Sequence, residues 1–144
     1  MFYLLFCPLI IEALRKYGNS TYLRILQEKS WFDARDFCLS QDSHLIDFDD
    51  MQENEFVLNK LYEKNAGEFW VSKFWMGLND LQAEGVFVNS RGSRPSFLNW
   101  DTDEPNDAVN GEDCTEVLLN GKWNDIPCSH LKPFVCEKSK GEFI

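Results

Sequence analysis

Positive charge is scarce in this chain. Its 144 residues carry 14 Lys and Arg against 24 Asp and Glu, a formal net charge of −10. That balance argues against a nucleic-acid binder or an anionic-membrane binder, because both need a cationic face. Histidine is scarcer still, with only His44 and His130, so a histidine-rich metal centre is excluded. No C-x-x-C pair occurs, which argues against a zinc ribbon or a thioredoxin-type redox site. Nothing resembles a Ser/His/Asp set, a phosphate-cradling glycine loop or a zinc-protease helix. There is no internal repeat, heptad array or low-complexity segment. The most apolar run, Met1–Ile11, is too short to cross a bilayer as a helix.

What is present is enough for one globular domain. Apolar residues make up 44 %, charged residues 26 % and aromatics 15 %, a composition that argues against disorder. Residues 1–15 read as a secretory signal or an N-terminal extension. The apolar run serves as the h-region and Ala13 as the small residue near a cleavage point. The other readings are a genuine N-terminal strand or the remnant of a longer chain. Residues 16–140 form the domain, and 141–144 a tail. Cysteines stand at 7, 38, 114, 128 and 136. If the leader is removed Cys7 goes with it, and the remaining even set points to an oxidising, extracellular compartment. Four cysteines allow three pairings. The sequon Asn19-Ser20-Thr21 is a glycosylation acceptor compatible with secretion.

Local patterns predict helices first and strands afterwards. Ser30-Trp-Phe-Asp33 reads as a capping box opening a helix in which Trp31, Ala34 and Cys38 share a face. Asp50 with Glu53 opens a second, where Val57, Leu58, Leu61 and Tyr62 recur at helical spacing. From Phe69 onward, short apolar runs (Phe74–Leu78, Val86–Val88, Glu116–Leu119 and Pro133–Cys136) alternate with Gly, Asn, Asp and Pro, as strands and loops do. Asn120-Gly121 predicts a two-residue hairpin turn. The order predicts an α+β fold.

Carboxylates concentrate between Asp80 and Asp125: Asp80, Glu84, Asp101, Asp103, Glu104, Asp107, Glu112, Asp113, Glu116 and Asp125, interleaved with Asn99, Asn106, Asn110 and Asn124. Crowded carboxylates repel one another unless a cation intervenes. Hard oxygen donors on loops suit Ca²⁺, which takes about six to eight of them, whereas Mg²⁺ prefers fewer protein ligands and thiolates prefer softer metals. The plainer reading of such a run is a solvated acidic loop. No EF-hand is present: Asp47-Phe-Asp49 begins like one, but Gln52 stands where the turn glycine is needed. Trp75, Trp123 and Met76 read as core rather than as a sugar-stacking platform, and His44 as a structural histidine rather than a ligand. Trp100 lies nearer the loop.

Three short strings occur in order: Trp75-Met-Gly-Leu78, Glu104-Pro-Asn106 and Trp123-Asn-Asp125. Phe37-Cys38 and His44-Leu-Ile46 precede them, Gly111-Glu-Asp-Cys114 lies before the last, and Cys128 and Cys136-Glu137 come after it. From about Tyr17 to Lys138 the chain resembles the C-type lectin domain. The resemblance implies a fold of two helices flanking small antiparallel sheets with a long calcium-binding loop. It implies the disulfides Cys38–Cys136 and Cys114–Cys128. The family's additional N-terminal disulfide has no counterpart, since Thr21 stands near one expected cysteine.

The resemblance also implies a sugar-binding Ca²⁺ held by Glu104, Asn106, Glu112, Asn124 and Asp125, with Pro105 in the cis form. A second Ca²⁺ is implied at Asp80, Glu84, Asp107 and Asp113, with Glu112 adding an oxygen. The Glu-Pro-Asn order matches members preferring mannose, GlcNAc or fucose. The galactose-type Gln-Pro-Asp order is absent, and Asp107-Ala-Val109 offers no aromatic platform. The implied function is calcium-dependent glycan binding without catalysis, without membrane insertion, and with avidity arising from several sites in an oligomer. The alternatives are a C-type-lectin-like domain that binds a protein or an ice surface, and a hydrolase in which Glu104 and Glu112 act as acid and base.

Overall fold

The computed structural model describes residues 10–17, 20–61, 73–106 and 111–139. Cys7, Asn19, Tyr62 and Asp107 lie outside them. In chain order the described elements are β1 (Ile10–Tyr17), β2 (Ser20–Lys29), α1 (Trp31–Ser40), β3 (His44–Leu45), α2 (Met51–Leu61), β4 (Phe74–Asn79), β5 (Cys114–Val117), β6 (Trp123–Ile126) and β7 (Lys132–Ser139). The strands join in one sheet, ordered β1-β2-β7-β4-β5-β6, with β3 also on β7. The sheet is mixed. Its pairs are antiparallel except where β4 runs parallel to β7 at Trp75 and Phe134.

Both helices begin where their caps predict. The Ser30 hydroxyl accepts from the Asp33 N–H at 3.2 Å, and Asp50 Oδ1 accepts from the Glu53 N–H at 2.8 Å. Each satisfies a donor that the first helical turn leaves open. Helix α1 buries Trp31, Ala34 and Cys38. Helix α2 buries Val57, and it also turns Glu53 and Asn54, one turn earlier on the same side, inward. Ile10–Tyr17 is a strand paired antiparallel with β2, Ala13 opposite Leu23, and it runs across the boundary drawn at residue 15.

Two expectations need correction. Val86–Val88 is not a strand of its own; it contributes a single bridge, Val88 to Asn79. The β5–β6 turn is longer than two residues. Leu118 N–H donates to Lys122 O and Gly121 N–H to Leu118 O, and Gly121 sits at φ 87°. This is the longer hairpin loop in which a left-handed glycine closes the turn. A side chain there would be strained by that φ, and its Cβ, 2.3 Å from Leu58 Cδ1, would push the end of Leu58 aside.

Two apolar clusters lie on the sheet. One gathers Tyr22, Ile46, Phe48, Phe74, Met76 and Trp123; the other gathers Ile25, Trp31, Leu45, Trp75 and Phe134 around the cysteines. Cys38 is bonded to Cys136 and Cys114 to Cys128. The first bond ties α1 to β7 across 98 residues, and the second closes a loop of 14. Chain-entropy estimates put such closures at roughly 3–5 kcal/mol each.

Trp123 links the first of these clusters to the long loop after β4. It is 1 % exposed, stacked on Phe48 and met edge-on by Phe97 and Trp100. Its indole N–H donates to Asn54. Burying an indole of about 200 Å² is worth roughly 5 kcal/mol gross. Its backbone receives the loop. The Trp123 N–H donates to Asn99 O, its carbonyl accepts from the Asp101 N–H, and Trp100 bridges it in parallel. Residues 99–106 are thereby laid alongside β6.

Candidate functional site

The end of that loop carries Glu104 and Asn106. Glu104 N–H donates to Asp101 O, and the Glu104–Pro105 peptide is cis. Asn106 N–H donates to Asp125 Oδ1 at 3.1 Å, and its side-chain amide reaches Glu104 Oε2 at 3.4 Å. Asp125 is 1 % exposed. Burial pushes the Glu104 carboxyl up to about 7, and the neighbouring Asp125 and the charge of Glu112 push the same way, while the Asn106 N–H opposes them. Glu104, Asn106, Glu112 and Asp125 therefore form one acidic cluster. Asn124, next to Asp125 on β6, directs its amide to Glu116 at 2.9 Å.

A second acidic group lies at the end of β4. Asp80 N–H donates to Asp113 O at 3.0 Å, tying this strand end to the residue before β5. One carboxylate oxygen from each of Asp80, Glu84 and Asp113 falls within 4.8 Å of the others. Asp80 is 2 % exposed. Burial raises its pKa, as does the nearby Glu84, while the Gly85 N–H at 2.8 Å opposes the shift. The fourth residue expected here, Asp107, lies outside the described residues.

Both clusters hold a feature that a hard cation would relieve, and among the described residues only the second brings three carboxylates within 4.8 Å of one another. Oε1 of Glu104 and Oδ1 of Asp80 are buried and receive no hydrogen bond. A buried carboxylate oxygen left this way is costly. Ca²⁺ is the oxygen-seeking ion that removes such a cost in a loop site of carboxylates and amide carbonyls.

The aromatic residues behave as core. Trp75 is fully buried with its indole N–H on Lys29 O. His44 is buried against its own strand, Nδ1 at 2.9 Å from Leu45 O. Trp100 is half-buried and packs edge-on against Phe87.

Reading by residue type missed two arrangements. Glu116, one of the clustered carboxylates in sequence, faces inward from β5 and pairs with Lys132 at 2.8 Å. A further acidic group joins Asp47, Glu53 and Glu137. Tyr22 donates to Glu53 at 2.5 Å, Ser20 and the Asp47 N–H donate to Glu137, and Arg91 donates to Asp47. The only signal in the sequence was Glu53 on the apolar side of α2.

The family model described as Lectin C-type domain matches residues 27–138. The chain belongs to the C-type lectin family. As a C-type lectin domain it is 33 % identical over 131 residues to collectin-11 of Danio rerio, covering 90 % of this chain and 46 % of that protein. The chain thus spans about half the length of this curated relative. Among solved structures, the cow C-type carbohydrate-recognition domain of CD23, determined in the presence of a GlcNAc2Man3 oligosaccharide, matches with TM-score 0.77 and 31 % identity over 90 % of this chain and 95 % of that one. A calcium-independent type II antifreeze protein matches with TM-score 0.76 at 16 % identity, over 90 % and 95 %; that likeness is one of fold. The C-type lectin fold here is two helices with a mixed sheet.

Proposed function

We propose that the chain is a calcium-dependent carbohydrate-binding domain of the mannose, GlcNAc or fucose type. The observation that carries this reading is the buried, hydrogen-bond-free Oε1 of Glu104, set among Asp125, Glu112 and the Asn106 amide. Glu104, Asn106, Glu112, Asn124 and Asp125 would hold one Ca²⁺, and Asp80, Glu84 and Asp113, joined by Asp107, a second. When bound, the first ion supplies coordination to two vicinal sugar hydroxyls.

The chain's own residues then do the selecting. Ionised Glu104 and Glu112 are acceptor-only, so each takes the hydrogen of one hydroxyl. The amide groups of Asn106 and Asn124 each donate to one. Hydrogen bonds to charged groups contribute about 1.5–3 kcal/mol each, so the order of acceptor and donor decides which diol fits. Equatorial 3- and 4-hydroxyls, or the corresponding pair of fucose, suit the Glu-Pro-Asn order. Asp125 holds the metal and, through its bond from Asn106 N–H, the loop.

In this reading Glu104 and Glu112 are permanent ligands rather than an acid and a base, and the domain is not an enzyme. The two disulfides support an oxidising, extracellular location, compatible with glycosylation at Asn19. A single shallow site binds weakly, so avidity calls for an oligomer.

Calorimetric titration with methyl mannoside and with galactose, in Ca²⁺ and then in EDTA, tests the proposal. Mannoside heat that vanishes with chelator is expected. The second reading is recognition of a protein or ice by the same loop surface, on a fold shared with the calcium-independent antifreeze protein. Binding that survives EDTA would support it.

A further inference from the structure

We infer that Glu116, held in place by Lys132, is the positioning residue that sets the amide orientation of Asn124 in the carbohydrate site. The inference rests on the lectin reading above and names a residue outside its ligand set.

The register of the hairpin brings the two together. Glu116 on β5 stands directly opposite Asn124 on β6, so their side chains lie on the same face within reach of each other. Glu116 is 1 % exposed. Its Oε2 receives the Asn124 Nδ2–H at 2.9 Å, and its Oε1 lies 2.8 Å from Lys132 Nζ. Lys132 reaches this place from the first residue of β7, with Nζ 5.8 Å from the Trp75 ring centroid.

The chemistry leaves one arrangement. An ionised carboxylate only accepts, so the asparagine must present its NH₂ to Glu116. The amide oxygen is thereby turned away, free for a cation. One of the two amide hydrogens is occupied and the other is left for a sugar hydroxyl. A buried carboxylate needs a counter-charge, and Lys132 supplies it. An asparagine without this partner rotates freely between two amide orientations, only one of which offers oxygen to a metal. Glu116 removes that freedom before any ligand arrives.

The test compares Ca²⁺ affinity, read from the tryptophan fluorescence of the full chain, and methyl mannoside affinity, read by calorimetry. The principal variant is Glu116→Met with Lys132→Met. It removes the ion pair without leaving a buried charge, a change that is often neutral or stabilising. Ca²⁺ affinity is expected to fall about 10- to 100-fold, the usual effect of losing a group that orients a metal ligand. The unfolding midpoint in EDTA should stay level or rise. Glu116→Gln with Lys132→Met, in which no ammonium competes for the one carbonyl oxygen, still lets that oxygen accept from Asn124 and should recover most of the affinity. In an Asn124→Ala background the Met pair should cost nothing further. Full affinity in the Met pair overturns the inference. So does a Gln variant as weak as the Met pair, or a loss that persists in the Asn124→Ala background. A wild-type chain with no Ca²⁺ response overturns the lectin reading itself, a result distinct from any of these.

Discussion

The backbone N–H of Asn106 donates to Oδ1 of Asp125 at 3.1 Å, across 19 residues of sequence. This bond joins the tip of the long loop to the second residue of the Asn-Asp pair on β6. It places the loop triplet and the strand pair on one cluster, and it uses one oxygen of a carboxylate that is otherwise buried. A hydrogen bond to a charged acceptor contributes about 1.5–3 kcal/mol, enough to matter for a loop whose other anchors include the main-chain bonds at Trp123 and the Asn99 amide on Gly121 O.

Reversing the acceptor and donor on the loop should reverse the sugar preference. Glu104→Gln with Asn106→Asp exchanges a charged acceptor for an amide and an amide for a charged acceptor. Competition of methyl mannoside and galactose for an immobilised glycan should move from mannose-preferring to galactose-preferring, by about tenfold or more on the scale of one charged hydrogen bond. A double variant that keeps its mannose preference would defeat the hydrogen-bond account.

Calcium should stabilise the fold, and Asp80 should change sign with it. At a free concentration of about 100 times its dissociation constant, one ion adds about 2.7 kcal/mol. Asp80→Asn removes a buried negative charge from beside Glu84 and Asp113. In EDTA the substitution should leave the melting temperature level or raise it; in Ca²⁺ it should lower it relative to wild type. Paired thermal melts in the two buffers measure both. Equal shifts in both buffers would speak against a metal at this cluster.

The calcium-free domain should lose stability as pH rises. Burial pushes the Glu137 carboxyl up to about 8, with the charges of Glu53 and Asp47 adding to it and the bonds from Ser20 and the Asp47 N–H opposing. Burial likewise raises Asp47 to about 7 against the pull of Arg91. Tyr22, His44 and the charge of Asp49 also face this group. Carboxyls of the unfolded chain titrate near about 4. The folded state therefore holds protons that the unfolded state has released, and the stabilisation present at low pH is lost as pH climbs through the folded values. Urea unfolding in EDTA should show a decline of about 1–3 kcal/mol between pH 5 and pH 8, an order-of-magnitude figure from the linkage relation. Glu137→Gln, neutral throughout, should flatten the decline. A wild-type profile already flat would remove the basis for it.

The sequence by itself determined the features that are local or carried by short strings. Ser30 and Asp50 cap their helices because a side-chain oxygen three residues ahead of an N–H needs no distant partner. The family was legible because Trp75–Leu78, Glu104–Asn106 and Trp123–Asp125 recur in order among the cysteines. Even the Asn120-Gly121 turn was local, although its length depended on Leu118 and Lys122 pairing across it. Tertiary structure decided what requires two distant segments to meet. Glu116 and Glu104 are alike as letters in an acidic run. One faces inward to Lys132 from across the sheet, and the other ends the loop among carboxylates with an oxygen that no donor reaches. Glu53 turned to Tyr22, and Ile10–Tyr17 paired with β2, for the same reason. Whether a carboxylate becomes a salt bridge, a shared-proton group or a cation ligand is set by which donors the fold brings within about 3 Å, and sequence spacing does not carry that distance.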